Sequence, residues 1–348
     1  MTRHERFHDS NQHLPVVTML DFTVAIRTFN GAKRLPLILD RLRTQIQTAA
    51  IAWEVLVVDN NSNDDTAQVI QSYQATWVDQ CPLRYVFEPQ QGAAIARRRA
   101  IQEADGSLIG FLDDDNLPSE DWVVSAVAFG QANPKAGAFG GRIRGVFETE
   151  IPKNFEKVSA YLAIKENTQH YCYDTYKKGL PAGAGLVVRR QAWLESVPTH
   201  LVLQGPTGDL LPTKSEEIEA LFHLRKAGWE IWHHPTMQIE HHIPKRRLER
   251  DYLLNFFHTL GLSRHRLRVL RFSPLQRPVM TIVYLVSDLC KIASFFVRHH
   301  KILKTDVVAA CEMQALIGSL FSPFYLFKKS LLLINQQPHP IAKTQSCL

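Results

Sequence analysis

The apolar run Leu108-Ile109-Gly110-Phe111-Leu112 ends directly in Asp113-Asp114-Asp115-Asn116, and this junction constrains the fold more than any other feature. A short apolar run of this kind reads as a buried strand. Three carboxylates behind it then sit at the carboxyl edge of a sheet, where open α/β sheets bind ligands. Strand side chains alternate, so Asp113 and Asp115 are expected on one face and Asp114 on the other. Two carboxylates held that close repel each other unless a cation lies near them. Hard divalent ions such as Mg²⁺ or Mn²⁺ suit these oxygen ligands and commonly bring phosphate oxygens with them. The alternative is a solvated acidic turn leading into the next helix, since Ser119 and Glu120 follow.

Around that junction strands and helices alternate. Strands are predicted at 22–26, 54–58, 84–87 and 108–112, and helices at 34–47, 65–80 and 92–104. Such alternation implies right-handed crossovers and an α/β fold with a Rossmann-like, mostly parallel sheet flanked by helices. The loop after the first strand, Arg27-Thr28-Phe29-Asn30-Gly31, lacks the glycine fingerprint of dinucleotide oxidoreductases, and no P-loop motif is present. Residues 132–215 are richer in Gly and Pro and read as irregular. A helix at 216–227 stops at Gly228, and a short strand at 229–232 leads to His233-His234 and His241-His242.

Composition narrows the class only a little. Hydrophobic residues make up 45% of the 348 and charged residues 21%, which describes a folded globular protein. A net charge of +6 is compatible with nucleic acid, anionic lipid or phosphate-bearing substrates, and does not choose among them. Cys81, Cys172, Cys290, Cys311 and Cys347 are scattered, which argues against a disulfide framework or zinc ribbon and suits a reducing cytosol. Residues 1–20 read as a disordered lead without the apolar run of a secretory signal. Beyond 245 the basic residues Lys245, Arg246, Arg247, Arg250, Arg264, Arg266, Arg268 and Arg271 precede an apolar stretch, 279–297, interrupted by Asp288 and Lys291. A second apolar stretch, 315–334, carries Lys328 and Lys329. A buried helical hairpin and an in-plane membrane helix are both open. Apolar helices beside cationic clusters favour attachment to an anionic membrane surface.

Several segments occur together in a telling order. They are Val24-Ala25-Ile26-Arg27-Thr28-Phe29-Asn30, Val57-Val58-Asp59-Asn60-Asn61-Ser62, Gln91-Gly92-Ala93-Ala94-Ile95-Ala96-Arg97, the strand ending in Asp113-Asp114-Asp115, Gly183-Ala184-Gly185 and Glu216-Glu217. In combination they resemble the family 2 glycosyltransferases of the GT-A fold over roughly residues 20–245. The ending Ile239-Glu240-His241-His242-Ile243-Pro244 is further similar to cyanobacterial hormogonium-polysaccharide glycosyltransferases. The resemblance implies a GT-A domain over 21–245, with a nucleotide-binding half at 21–131 and an acceptor half at 132–245; the basic clusters and apolar stretches beyond it read as a C-terminal helical, membrane-associated region over 246–348.

What the resemblance implies for chemistry is inverting transfer of a sugar from a nucleoside-diphosphate donor, a UDP-sugar above all, to a hydroxyl of a glycan or lipid-linked acceptor. The setting it suggests is the cytosolic face of the membrane, with no nucleic-acid partner. Thr28, Asn30, Asp59 and Arg97 match nucleotide-contacting positions, although Asp59 has the alternative of an Asx-turn. Asp113 and Asp115 match the paired aspartates that hold nucleotide and metal (Mg²⁺ or Mn²⁺), Asp114 lies within the same cofactor-binding segment, and His241 matches an additional metal ligand. Glu217 stands at the general-base position, where the family usually has Asp. Its neighbour Glu216 has an alternative in a capping box with Thr213 and in complementing the helix dipole. Two other functions stay open: a nucleotidyltransferase, for which Arg27–Gly31 makes a poor phosphate loop, and a catalytically silent partner that binds nucleotide-sugar or glycan.

Overall fold

The computed structural model describes residues 19–77, 81–173, 179–205 and 215–335. The 1–18 lead, Cys347 and Thr213 therefore lie outside the described residues. In chain order the elements are β1 (Leu20–Thr28), α1 (Leu35–Arg43), β2 (Trp53–Asp59), α2 (Thr66–Gln74), β3 (Leu83–Phe87), α3 (Ala93–Glu103), β4 (Gly106–Asp113), β5 (Asn116–Pro118), α4 (Trp122–Ala132), β6 (Ala136–Phe147), β7 (Tyr171–Cys172), β8 (Val187–Arg189), α5 (Arg190–Ser196), α6 (Glu216–Lys226), β9 (Glu230–Ile243), α7 (Arg250–Leu262), α8 (Arg264–Val269), α9 (Arg277–His299) and α10 (Val307–Asn335).

One sheet organises them, in the order β3-β2-β1-β4-β8-β6-β9-β5, with β7 on β9. The first four strands are parallel, as the alternation predicts. Every residue of β2 is buried, as expected of a strand covered on both faces. Helix α1 turns Leu35, Ile38, Leu39 and Leu42 inward, a helical spacing that forms one apolar stripe. Beyond β4 the sheet is mixed. Strand β8 runs antiparallel to β4 and β6, β6 runs parallel to β9, and β5 runs antiparallel to β9.

Two departures from the sequence reading have clear causes. Residues 136–147 form a twelve-residue strand where irregular chain was expected. Its glycines mark close approach and not disorder, because a Cβ on Gly141 would lie 1.8 Å from the Met237 carbonyl oxygen and one on Gly137 2.6 Å from Trp229 Cβ. Strand β9 likewise continues to Ile243 instead of ending at 232. A register shift takes the β6 partner from His233 to Gln238, and the skipped residues include Pro235, which has no N–H to give the ladder.

The C-terminal helices are not uniformly covered. Helix α7 meets α10 where Gly261 and Gly318 face each other, and a Cβ on Gly318 would lie 2.2 Å from the His258 carbonyl oxygen. Helix α9 instead leaves Val279, Ile282, Val283, Val286 and Leu289 exposed at helical spacing. Its interrupting acid, Asp288, is 1% exposed and points inward. There it accepts Arg268 at 2.6 and 2.9 Å and the Ser319 hydroxyl at 2.7 Å. By length and composition both α9 and α10 could cross a membrane, yet the apolar window of α9 is 6% buried against 44% for α10. A buried hairpin therefore describes α10 in part and α9 only at Asp288.

Candidate active site

The parallel register sets the site. It places Arg27 opposite Asp113 and Thr28 opposite Asp59, so the carboxyl ends of β1, β2 and β4 gather one group of polar residues. A cavity of ≈ 610 Å³ opens there. Arg27, Arg97, Asp113 and Asp115 line it, together with Glu216 and Glu217 at the start of α6. His241 and Arg247 line it as well, and Phe256, Leu260, Arg264 and Leu267 bring α7 and α8 into its wall.

Asp113 and Asp115 thus share the cavity, as alternation predicts, although the strand stops at Asp113 and residues 114–115 form a turn. Asn116 fixes that turn from a fully buried position. Its Oδ1 accepts the Asp113 N–H at 3.2 Å, and its Nδ2 donates to Asp115 Oδ1 at 2.8 Å. Asp114 faces away from the cavity, accepting Thr28 Oγ1 at 2.6 Å and a two-pronged contact from Arg34 at 2.8 and 2.9 Å. The repulsion within the acidic corner is relieved by the chain itself. Arg27 Nη2 lies 2.5 Å from Asp113 Oδ1, and Arg247 Nη1 lies 2.9 Å from Asp115 Oδ2.

His241, 5% exposed, brings Nε2 to 3.6 Å from Asp115 Oδ2. Arg247 Nη1 also donates to that Nε2 at 3.1 Å. A guanidinium can only donate, so this contact is a hydrogen bond in the tautomer whose lone pair lies on Nε2, and among the described residues the buried Nδ1 has no partner. An imidazole Nε2 turned toward a carboxylate is an arrangement that can ligate a metal. Among the described residues no group of three or more His, Cys, Asp or Glu side chains forms a metal cluster. Mg²⁺-type ions do not require one, since they are usually held by one or two carboxylates plus substrate phosphates. Asp115 and His241, with Asp113 beside them, fit such an ion.

The wall formed by α6 has the opposite character. Arg97 is 1% exposed, and its guanidinium lies 4.5 Å from the Phe111 ring centre. Arg97 Nη2 and Arg27 Nη1 each stand 3.6 Å from Glu216 Oε1. Burial works to raise the Glu216 pKa, but Arg97 and Arg27 together hold it below the usual carboxylate range. Glu217 is pushed up to about 7 by burial and then by the charge on Glu216. The two adjacent carboxyls are therefore driven in opposite directions: Arg97 and Arg27 act on both, but only at Glu216, 3.6 Å from each, do they outweigh burial. Among the described residues Nε and Nη1 of Arg97 and Nε of Arg27 find no acceptor. Buried donors left open in this way suit an anionic ligand. Gly183 packs against Arg97 and Glu217, since a Cβ there would lie 3.1 Å from Arg97 Nη2 and 3.4 Å from Glu217 Cγ. Lys165 also lines the cavity, its pKa pushed down to about 8 by burial.

The remaining predicted residues are engaged internally. Asp59 accepts the Tyr85 hydroxyl and the Ser62 N–H, each at 2.9 Å, the second from three residues on and not the i+2 N–H of an Asx-turn. Asn30, with φ 50°, accepts the Asn63 N–H at 2.9 Å. Neither they nor Thr28 line the cavity. Arg247 and Lys165 were missed by sequence reasoning, and Arg27 was not assigned a role. Only Arg27 carries a readable signal, a cation in register with the first aspartate of the acidic run.

Comparison with known proteins places this geometry. Glycosyltransferase AglE of Haloferax volcanii is 30% identical over 106 residues, covering 30% of this chain and 34% of that protein. Validoxylamine A glucosyltransferase of Streptomyces hygroscopicus subsp. jinggangensis is 33% identical over 121 residues, 34% of this chain and 26% of its own length. The matched segments thus span about a third or less of these relatives. Among solved structures, the mannosyltransferase PcManGT from Pyrobaculum calidifontis, in complex with GDP-Man and Mn²⁺, aligns with TM-score 0.58 and 18% identity over 88% of each chain. That likeness establishes a GT-A-type fold. Residues 23–194 match the family model described as Glycosyl transferase family 2. That match spans just under half of the chain and, with the glycosyltransferase relatives, supports a glycosyltransferase similar to those of family 2.

Proposed function

We propose that the protein is an inverting glycosyltransferase that moves a sugar from a nucleoside diphosphate, a UDP-sugar above all, to an acceptor hydroxyl in polysaccharide assembly, of the hormogonium type that the 239–244 segment resembles. The observation that carries this reading is the carboxylate pair opening α6. Glu216 is held ionised by two guanidiniums, and Glu217, poised near neutral pH, lines the same cavity as Asp113 and Asp115. A base with a pKa near the working pH is best matched to accept a hydroxyl proton. Glu217 takes that proton as the acceptor oxygen bonds to the anomeric carbon. The bond from that carbon to the diphosphate breaks, and its electron pair leaves with the diphosphate. The open donors of Arg97 and Arg27 face the charge that develops there. A Mg²⁺ or Mn²⁺ ion held by Asp115 and His241, with Asp113 beside it, would add Lewis-acid stabilisation of the same leaving group. Thr28, Asn30, Asp59 and Asp114 shape the loops on the nucleoside side.

The same reading places the protein at the cytosolic face of a membrane. Support comes from the bare apolar face of α9 and from Arg264 and Leu267, which line the cavity on a helix that leads toward it. A lipid-linked or membrane-borne glycan acceptor fits this placement.

Three outcomes follow from this reading. Incubation with a panel of nucleotide sugars and Mn²⁺ should release nucleoside diphosphate, and EDTA or Asp115→Ala should abolish the release. Glu217→Gln should keep donor binding while lowering transfer by about 10²–10⁴-fold; wild-type transfer by this variant would remove Glu217 from the base position. The second concerns pH. A carboxyl whose pKa rises from 4.5 to about 7 on folding stabilises the native state fully below the lower value, and that contribution is lost as pH climbs through the upper one. Glu217→Gln cannot ionise, so its melting temperature should gain on the native protein between about pH 5 and about pH 8. A difference that stays flat over this window would contradict the raised pKa. The third is co-sedimentation with anionic vesicles, which Val283→Glu should weaken; equal sedimentation of both proteins would exclude α9 as the contact.

A further inference from the structure

The acidic corner already contains a cation supplied by the chain. Arg247 Nη1 donates to Asp115 Oδ2 at 2.9 Å and to His241 Nε2 at 3.1 Å, and these two acceptors stand 3.6 Å apart. One nitrogen thus satisfies the two lone pairs that a divalent ion would need. The guanidinium and a metal cannot occupy both acceptors together. Without Arg247 Asp115 would lose its nearest cation and keep only the imidazole beside it, a cost that burial raises.

Arg247 is also placed to leave. It sits on a short 3₁₀ turn, Lys245–Leu248, between β9 and α7, and its side chain is 26% exposed. Its other side-chain hydrogen bond runs from Nε to the Tyr252 hydroxyl at 3.3 Å, a long contact. A four-bond stem lets the head group swing without movement of the backbone. It lines the cavity, so a released guanidinium remains where an anionic diphosphate would be recognised.

We propose that Arg247 is a resident counter-cation that a divalent metal displaces from Asp115 and His241, after which its guanidinium serves the donor diphosphate. This rests on the metal reading of the corner and adds a coupling to it. Metal entry costs the Arg247 contacts, nucleotide binding regains them in another form, and each ligand therefore favours the other.

The test is Mn²⁺ binding to the full chain, read from the electron paramagnetic resonance signal of the free ion, with and without UDP. Arg247→Met keeps the stem and removes the charge. It should tighten Mn²⁺ binding without UDP by about tenfold, through loss of the competitor, and weaken UDP binding at saturating Mn²⁺ by a similar factor. Arg247→Lys retains a cation and should fall between the two, which separates lost charge from disturbed folding. Unchanged or weaker Mn²⁺ binding in Arg247→Met, with binding still abolished by Asp115→Asn, would overturn the exchange while leaving the metal site in place. Mn²⁺ binding indifferent to Asp115→Asn, or absent from every variant, would overturn both.

Discussion

Arg27 and Arg97 share one buried carboxylate, Glu216, at 3.6 Å each, and the rest of the site depends on that contact. At such a separation opposite unit charges attract by roughly 4–5 kcal/mol for an effective dielectric near 20. Burying any of the three alone would cost several kcal/mol, so each requires the others. The consequences spread in two directions. Toward α6, the retained charge on Glu216 helps lift Glu217 to about 7. Toward β4, the far side of Arg27 neutralises Asp113. A single cluster thus influences the protonation of Glu217 and permits an acidic corner to persist at the sheet edge.

Packing delivers that cluster. Arg97 projects from α3 onto the Phe111 ring of β4, and Gly183 lets the segment before β8 lie against both Arg97 and Glu217. The C-terminal region is part of the site and not an appendage to it, because α7 and α8 supply one wall of the cavity. Buried polar ties such as Arg268–Asp288–Ser319 fasten α9 to that wall while its apolar face points outward. The helix with the exposed apolar face is thereby tied to one of the helices that line the cavity.

The parallel half of the sheet was legible because apolar runs, turns and amphipathic helices repeat there with little interference. The shared orientation of Asp113 and Asp115 was legible too, although Asn116 and a turn enforce it where an extended strand was expected. The mixed half was not. Glycines in β6 and Pro235 in β9 imitate loop signals, and only the β6–β9 approach reveals that they serve a ladder with a register shift. Long-range charge pairing was equally hidden. Arg247 stands in a run of basic residues that reads as suited to an anionic membrane surface, yet it reaches Asp115 from 132 positions away. Glu216 looked like a helix cap for the same reason: its partners lie on β1 and α3, far along the chain.

A crystal structure of the protein soaked with UDP and Mn²⁺ would test the central claim most directly. The expected density places the diphosphate against the open donors of Arg97, with the ion on Asp115 and Glu217 still facing the cavity. Nucleotide bound elsewhere, with Arg97 still lacking acceptors and Asp115 still joined to Arg247, would contradict it.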